Sequence, residues 1–304
     1  MKKYSDTFIW TVPNFNIKEI EMTVALPAYN AESIIWLALE SLKNQVDITF
    51  KWELICFEEY GYSREIIKEY VNKLPGAIRI IHRSINPEIE GIRAKLKPVW
   101  RNKNKIKRTG TYPLIWKWIN IAKLSAPSSK IFVMHATDDY SPTKRLSIHY
   151  QHFKNPKCVL SSQPVGIFYN IISKQLVIYN SLKSAKLYTY TQPNMSYRME
   201  HVRKYVTPKT KFFNIYIDSH IRECIIKGLN IRNLSKEHHL HDYNIDPDNW
   251  KTGLYTDGYN NISMNRRKVY DITIEKGYSF SAREKSERIW GTPTYFKHLG
   301  YTDI

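Results

Sequence analysis

An α/β fold with a mainly parallel central sheet is predicted for the first half of this chain, on three observations. Short apolar or β-branched runs alternate there with helical patterns, the signature of βαβ units. The first run, Thr23-Val24-Ala25-Leu26-Pro27, is apolar without alternation, which marks a strand buried on both faces. A later run, Ile131-Phe132-Val133-Met134-His135, leads straight into the acidic turn Ala136-Thr137-Asp138-Asp139-Tyr140.

In chain order, the first strand is expected to stop at Pro27. Asn30 then serves as N-cap of a helix from about Ala31 to Gln45, with Ile34, Ile35, Leu37, Ala38 and Leu42 on one apolar face. Glu53–Phe57 makes the second strand. A helix from Ser63 to about Leu74 and a strand from Ala77 to His82 complete a second unit, after which the chain turns irregular and strongly basic. The sheet resumes at Lys130, and Pro142 suits the first turn of the helix after the acidic turn. Beyond about Asn155 the pattern shifts to short tyrosine-rich strands, including Leu176–Tyr179 and Leu187–Tyr190, and reads as a smaller α+β lobe. A helix from about Asn214 to Lys227 is expected to close at Gly228 in a left-handed conformation. The organisation is therefore two lobes, residues 1–155 and 156–304, with no internal repeat.

A chain of 304 residues buries enough apolar surface to fold without staples. Cys56, Cys158 and Cys224 are odd in number and widely spaced, which argues against a disulfide framework or a zinc knuckle and for a reducing compartment. The N-terminal residues lack an apolar signal-peptide core, and no long uncharged apolar run occurs, so a soluble, cytoplasmic protein is expected, in a host's cytoplasm if the gene is phage-borne. The formal charge of +18 favours polyanionic partners. A Lys-, Asn-, Ile- and Tyr-rich composition also arises from AT-rich coding, so the charge has a second, partner-free explanation.

In an open parallel sheet, ligands sit beyond the carboxyl ends of the strands. Three such ends belong together: Pro27-Ala28-Tyr29-Asn30, Phe57-Glu58-Glu59-Tyr60 and Ala136-Thr137-Asp138-Asp139. The first offers backbone amides and a helix start, suited to a base or a phosphate. The other two bring acids, and carboxylates beside a phosphate make electrostatic sense only with a cation between them, which implies Mg²⁺ or Mn²⁺. Taken alone, Asp138-Asp139 reads equally as a cap of the following helix.

The stretch Thr23–Gln45, TVALPAYNAESIIWLALESLKNQ, continued by Trp52–Ile55, resembles the opening strand and helix of family 2 glycosyltransferases. His135–Leu146, HATDDYSPTKRL, is similar to that family's metal-binding stretch. The resemblance covers roughly the first half and implies a GT-A, Rossmann-like nucleotide-sugar-binding lobe with an acceptor lobe beside it. It implies Asp138 as the metal ligand, with Asp139 its neighbour, and Pro27, Ala28, Tyr29, Asn30, Glu32, Glu58, Glu59, Asp138 and Arg93 around the donor, a UDP-sugar being the expected one. The chain departs from the family at Ala136, where an Asp is usual, and at Glu58-Glu59, each a methylene longer than the usual acids.

In the second half, Tyr216–Arg222 followed by Gly228 resembles the element that carries the family's general base, which makes Asp218 the catalytic candidate; a helix-capping Asp is the alternative. Glu237-His238-His239-Leu240-His241-Asp242 lacks a zinc spacing. The resemblance allows one His from this region in the metal shell, with His241 the choice because Asp242 would orient it, and a solvated loop is the alternative. Between Arg93 and Arg108 lie Arg93, Lys95, Lys97, Arg101, Lys103, Lys105, Lys107 and Arg108 with Trp100 and no acid, a composition that suits a mobile loop ordering on a polyanion, or simply a solvated one.

The expected activity is metal-dependent, inverting transfer of a sugar from a nucleotide donor to a hydroxyl. Two acceptors fit: a cell-surface glycan, or a hydroxylated base in duplex DNA held through the basic run, as in phage-type DNA-modifying members. A degenerate transferase that only binds nucleic acid is the non-enzyme alternative.

Overall fold

The computed structural model describes residues 6–29, 31–32, 34–61, 63–86, 99–101, 106–108, 114–137, 139–141, 143–161, 165–170, 175–180, 195–207, 221, 224–225, 228–230, 239–240, 262–265 and 286–290. In chain order the first elements are β1 (Asp6–Thr11), β2 (Ile20–Tyr29), α1 (Ile35–Lys43), β3 (Lys51–Glu59), α2 (Arg64–Tyr70) and β4 (Ala77–Ile85). Next come β5 (Val99–Arg101), β6 (Ile106–Arg108), α3 (Leu114–Leu124), β7 (Ile131–Met134), β8 (Asp139–Tyr140) and α4 (Arg145–Phe153). The remainder is β9 (Leu160–Ser161), β10 (Val165–Asn170), β11 (Gln175–Asn180), β12 (Ser196–Arg198), α5 (Met199–Tyr205), β13 (His239–Leu240), β14 (Ile262–Asn265) and β15 (Ser286–Trp290).

The α/β class holds. The main sheet has the order β1-β4-β3-β2-β7-β12-β9-β13, with β4, β3, β2 and β7 mutually parallel. The antiparallel β1 covers the β4 edge, an element the sequence reading did not include. Strands β9, β12 and β13 come from beyond residue 155 and join this same sheet. A second, five-stranded sheet runs β15-β11-β10-β14-β8, and its last strand holds Asp139 and Tyr140.

Strand alternation splits the core into two layers. Met22, Val24, Leu26, Leu54, Cys56, Ile80, Ile131 and Val133 pack with Ile35, Ala38, Leu39 and Leu42 of α1, Ile67 of α2, and Leu146 and Phe153 of α4. On the other face Ala25, Ile55, Phe57, Ile81, Phe132 and Met134 pack with Ile115, Trp118, Ile119 and Ala122 of α3 and with Met199 and Val202 of α5.

Several boundaries differ from expectation for physical reasons. Pro27 does not end β2, which runs on to Tyr29 in register with β3. The Ala25 carbonyl accepts the His135 N–H at 2.9 Å, so the peptide groups of Ala25, and of Pro27 two residues on, point toward β7. Because β7 ends at Met134, opposite Ala25, the N–H that Pro27 lacks has no strand to serve. Helix α1 begins only at Ile35, after a turn in which the Ile34 and Ile35 amides donate to the Ala31 carbonyl; Asn30 lies outside the described residues. Helix α2 ends at Tyr70 rather than near Leu74.

Helix α3 was not foreseen, although Leu114–Leu124 has a full apolar face. In the basic run, Val99–Arg101 and Ile106–Arg108 are not loop but pair as an antiparallel ribbon, with Trp100 opposite Lys107. Gly228 is helical rather than left-handed; that conformation falls on Asn230, at φ 54°. Asn tolerates it through its short polar side chain. Gly228 is instead a contact position, since a Cβ there would meet the Tyr205 ring at 2.1 Å. The expected strand Leu187–Tyr190 and the helix start near Asn214 lie outside the described residues.

Candidate active site

The chain fills β2, β3 and β4 outward in one direction and then returns to place β7 on the other side of β2. This reversal lies at the carboxyl ends of β2 and β7, the position at which open α/β sheets take ligands in a crevice. The residues at these ends are Pro27-Ala28-Tyr29 from β2, Glu58-Glu59-Tyr60 from β3, and residues 135–137 and 139–141 after β7.

Glu58 and Glu59 are both fully buried and, being adjacent in a strand, leave the sheet on opposite faces. On the α2 side, Glu58 Oε2 accepts the Ser63 N–H at 2.9 Å and lies 2.8 Å from His82 Nε2. Its Oε1 accepts the Ser63 hydroxyl at 2.7 Å and the Ala31 N–H at 3.3 Å. Burial alone would raise the pKa of this carboxyl, but the bond and charge of His82 and both Ser63 bonds outweigh it and hold it below the usual carboxylate value. Glu58 thereby joins the ends of β2, β3 and β4 to the start of α2. Gly61 makes this possible, because a Cβ there would sit 1.8 Å from Glu58 Oε1.

On the α3 side, Glu59 Oε2 lies 3.3 Å from Lys117 Nζ, which donates to the Ala28 carbonyl at 2.7 Å. The same ammonium sits 5.5 Å from the ring centroid of Tyr29, and that ring meets Tyr60 edge-on at 6.0 Å. Tyr29 is 52 % exposed, an aromatic surface on the crevice rim. Tyr60 holds the left-handed conformation that turns the chain out of β3, at φ 59°. Bulky residues rarely adopt it, and such strain concentrates at functional sites.

Behind the β7 turn the polar groups are buried. Arg145 is fully buried; its Nη2 donates to the Met134 carbonyl at 2.6 Å and its Nη1 to the Ser141 hydroxyl at 3.4 Å. Burial lowers its pKa to about 9 against the opposing charge of Asp139. Asp139 is itself fully buried, donates its N–H to the Ala136 carbonyl at 3.2 Å and pairs with Ser263 of β14. His135 faces α1, and burial, helped by the Arg145 charge, lowers its pKa to about 3, so its ring is neutral.

Pro27, Ala28, Tyr29, Glu58, Glu59 and Asp139 therefore converge on one end of the sheet, with Glu32 half-buried in the turn after β2. Asn30, Arg93, Asp138, Asp218 and His241, together with Lys95, Lys97, Lys103 and Lys105, lie outside the described residues, whereas Arg101, Lys107 and Arg108 lie on the β5–β6 ribbon. Leu240, next to His241, pairs with Ser161 at the sheet edge.

The described carboxylates do not by themselves fit a divalent cation. Glu58 is occupied by protein donors, Glu59 faces Lys117 and Asp139 lies in the field of Arg145. Among the described residues no three His, Cys, Asp or Glu side chains come together as a metal-holding group. The residues that sequence reading missed are His82, Ser63, Lys117 and Arg145. Of these only Lys117 left a local signal, as a lone cation within the apolar stretch Leu114–Ile119.

Residues 23–91 match the model of the family described as glycosyl transferase family 2. That span takes in β2 from Thr23 onward, and β3 and β4 entire, the strands on one side of the strand-order reversal. This segment of the chain is therefore similar to part of a family 2 glycosyl transferase domain. Among solved structures, the chain is similar to TarS of S. aureus at 13 % identity over 87 % of this chain and 45 % of that one, with a TM-score of 0.49. A shorter S. aureus TarS structure gives 13 % identity over 68 % and 55 %, with a TM-score of 0.45. The mannosyltransferase PcManGT of Pyrobaculum calidifontis, in complex with GDP-Man and Mn²⁺, gives 12 % identity over 67 % and 51 %, with a TM-score of 0.44. The chain spans about half the length of these structures. No curated protein matches it.

Proposed function

We propose that the protein is a glycosyltransferase that takes a sugar from a nucleotide donor held in the crevice between β2 and β7. The observation that carries this reading is the coincidence of two things: the family 2 segment, and a strand-order reversal that brings the Tyr29 end of β2 beside the acidic turn after β7. Such a crevice suits a base on one side and a diphosphate on the other.

Asp138 would hold a divalent cation, Mn²⁺ or Mg²⁺, which when bound supplies charge neutralisation for the leaving diphosphate. Asp218 would take the proton of the attacking hydroxyl, with inversion at the anomeric carbon. Pro27 to Tyr29 with Glu58 and Glu59 would shape the base and ribose side, Asn30, Glu32 and Arg93 adding donor contacts; His241 is the further metal candidate. For the acceptor, the +18 charge and the β5–β6 ribbon support duplex DNA carrying a hydroxylated base, and a cell-surface glycan is the other class that the family reading admits. A cytoplasmic setting is proposed with it. Among the described residues no helix is long and apolar enough to cross a membrane.

A thermal-shift panel of nucleoside diphosphates and nucleotide sugars, with and without Mn²⁺, tests the donor reading. One nucleotide should raise the melting temperature more with the metal than without. A panel without any shift would remove both the donor and the metal assignments, and would leave a nucleic-acid-binding protein as the reading. Duplex affinity that falls steeply with salt, with transfer to hydroxymethylated DNA, selects the DNA acceptor.

A further inference from the structure

Tyr29 ends β2, Glu59 ends β3, and the two are partners across the parallel pair. Both side chains leave the sheet on the α3 face. Lys117, on the buried face of α3 and 5 % exposed, meets both, and it donates to the Ala28 carbonyl between them. One ammonium thus fixes a backbone carbonyl, a buried carboxylate and an exposed ring at the same rim of the crevice.

Packing does not account for a lysine there. Its neighbours on α3, Ile115, Trp118 and Ile121, belong to the apolar core, where a Met would fill similar volume without burying a charge. Burial lowers the proton affinity of Lys117, and the charge of Glu59 works against that loss. What the lysine provides is placement: without it the Ala28–Tyr29 peptide loses its charged donor, Glu59 loses its counter-charge, and the Tyr29 ring loses the cation near its face.

We infer that Lys117 is a positioning residue for the nucleotide donor, holding Ala28, Tyr29 and Glu59 in the arrangement that the nucleotide meets on entry. This rests on the donor reading of the crevice. A rim ordered in advance spares the ligand the cost of ordering it, so loss of Lys117 falls on binding rather than on the chemical step.

The test compares the unaltered protein with Lys117→Met, Glu59→Gln and the double variant, in which no lone buried charge remains. Titration with UDP and with GDP should give a dissociation constant raised on the order of tenfold in Lys117→Met. The double variant should bind more weakly than Glu59→Gln, but by less than the two single losses combined, because the lysine acts partly through that carboxylate and partly through Ala28 and Tyr29. Donor KM should rise with the dissociation constant, while kcat falls much less. A folded Lys117→Met protein with unchanged binding and KM would overturn the inference and leave the donor site standing. Loss of kcat at constant KM would overturn it too, since that is what a smaller folded fraction gives. If the unaltered protein binds neither nucleotide, the donor reading falls first and the inference with it.

Discussion

The Glu58 carboxylate lies 2.8 Å from His82 Nε2, which locks the end of β3 to β4 at the rim of the crevice. With both Ser63 bonds on the same carboxylate, removal of this group leaves several buried polar atoms to find new partners. Glu58→Ala should destabilise the fold by on the order of 3 kcal/mol in urea unfolding, and Glu58→Gln by less, because the amide keeps one acceptor. The carboxyl is held below its ordinary value, so its contribution is complete above the unfolded pKa and is lost as pH falls through the folded one. A Glu58→Ala protein as stable as the parent at pH 7 would show that the cluster is not structural.

Gly61 has no room for a side chain, its Cβ position being 1.8 Å from Glu58 Oε1. In Gly61→Ala the Glu58 side chain must move and give up the Ser63 hydroxyl. The expected cost is about 1–3 kcal/mol, together with weaker nucleotide binding. Gly61→Ala combined with Glu58→Ala should cost less than the sum of the two, which a double-mutant cycle reads directly.

His135 and His149 are buried neutral bases, one with its pKa lowered to about 3 and the other lowered well below its usual value, burial being the main cause in both. The unfolded chain takes up protons on these rings below about pH 6.5 and the folded chain does not, so stability falls as pH drops from there toward 3. His135 alone should remove about 2 kcal/mol between pH 7 and pH 5. Chemical denaturation at the two pH values checks it, and a flat profile would mean that the rings take up protons in the fold as readily as in the unfolded chain.

Much of the first half was legible in the sequence because its signals are local. The apolar runs at Thr23, Glu53 and Ile131 are strands, and Glu58, Glu59 and the acidic turn do end them. What was not legible depends on pairing. Pro27 reads as a strand stop until the end of β7 at Met134 shows that its missing N–H faces no neighbour. Helix α3 follows a basic run and carries Lys117 on its buried face, which hides an apolar pattern whose meaning comes from Glu59 and Ala28. The left-handed residue after the last helical turn is Asn230, because Gly228 answers to Tyr205, a contact made across elements. Glu58 could be chosen by type, but its bonds to Ser63 and His82 place it as a brace of the rim, which no spacing rule announces.

Sugar transfer itself gives the most direct test of the central claim. With Mn²⁺ and the nucleotide sugar that binds, the protein should release nucleoside diphosphate in step with product. Asp138→Ala should abolish both transfer and metal-dependent donor binding, whereas Asp218→Ala should abolish transfer by at least 10²-fold and keep donor binding. Full activity in either variant would contradict the role given to that residue, and no nucleotide release from any donor by the folded protein would contradict the account as a whole.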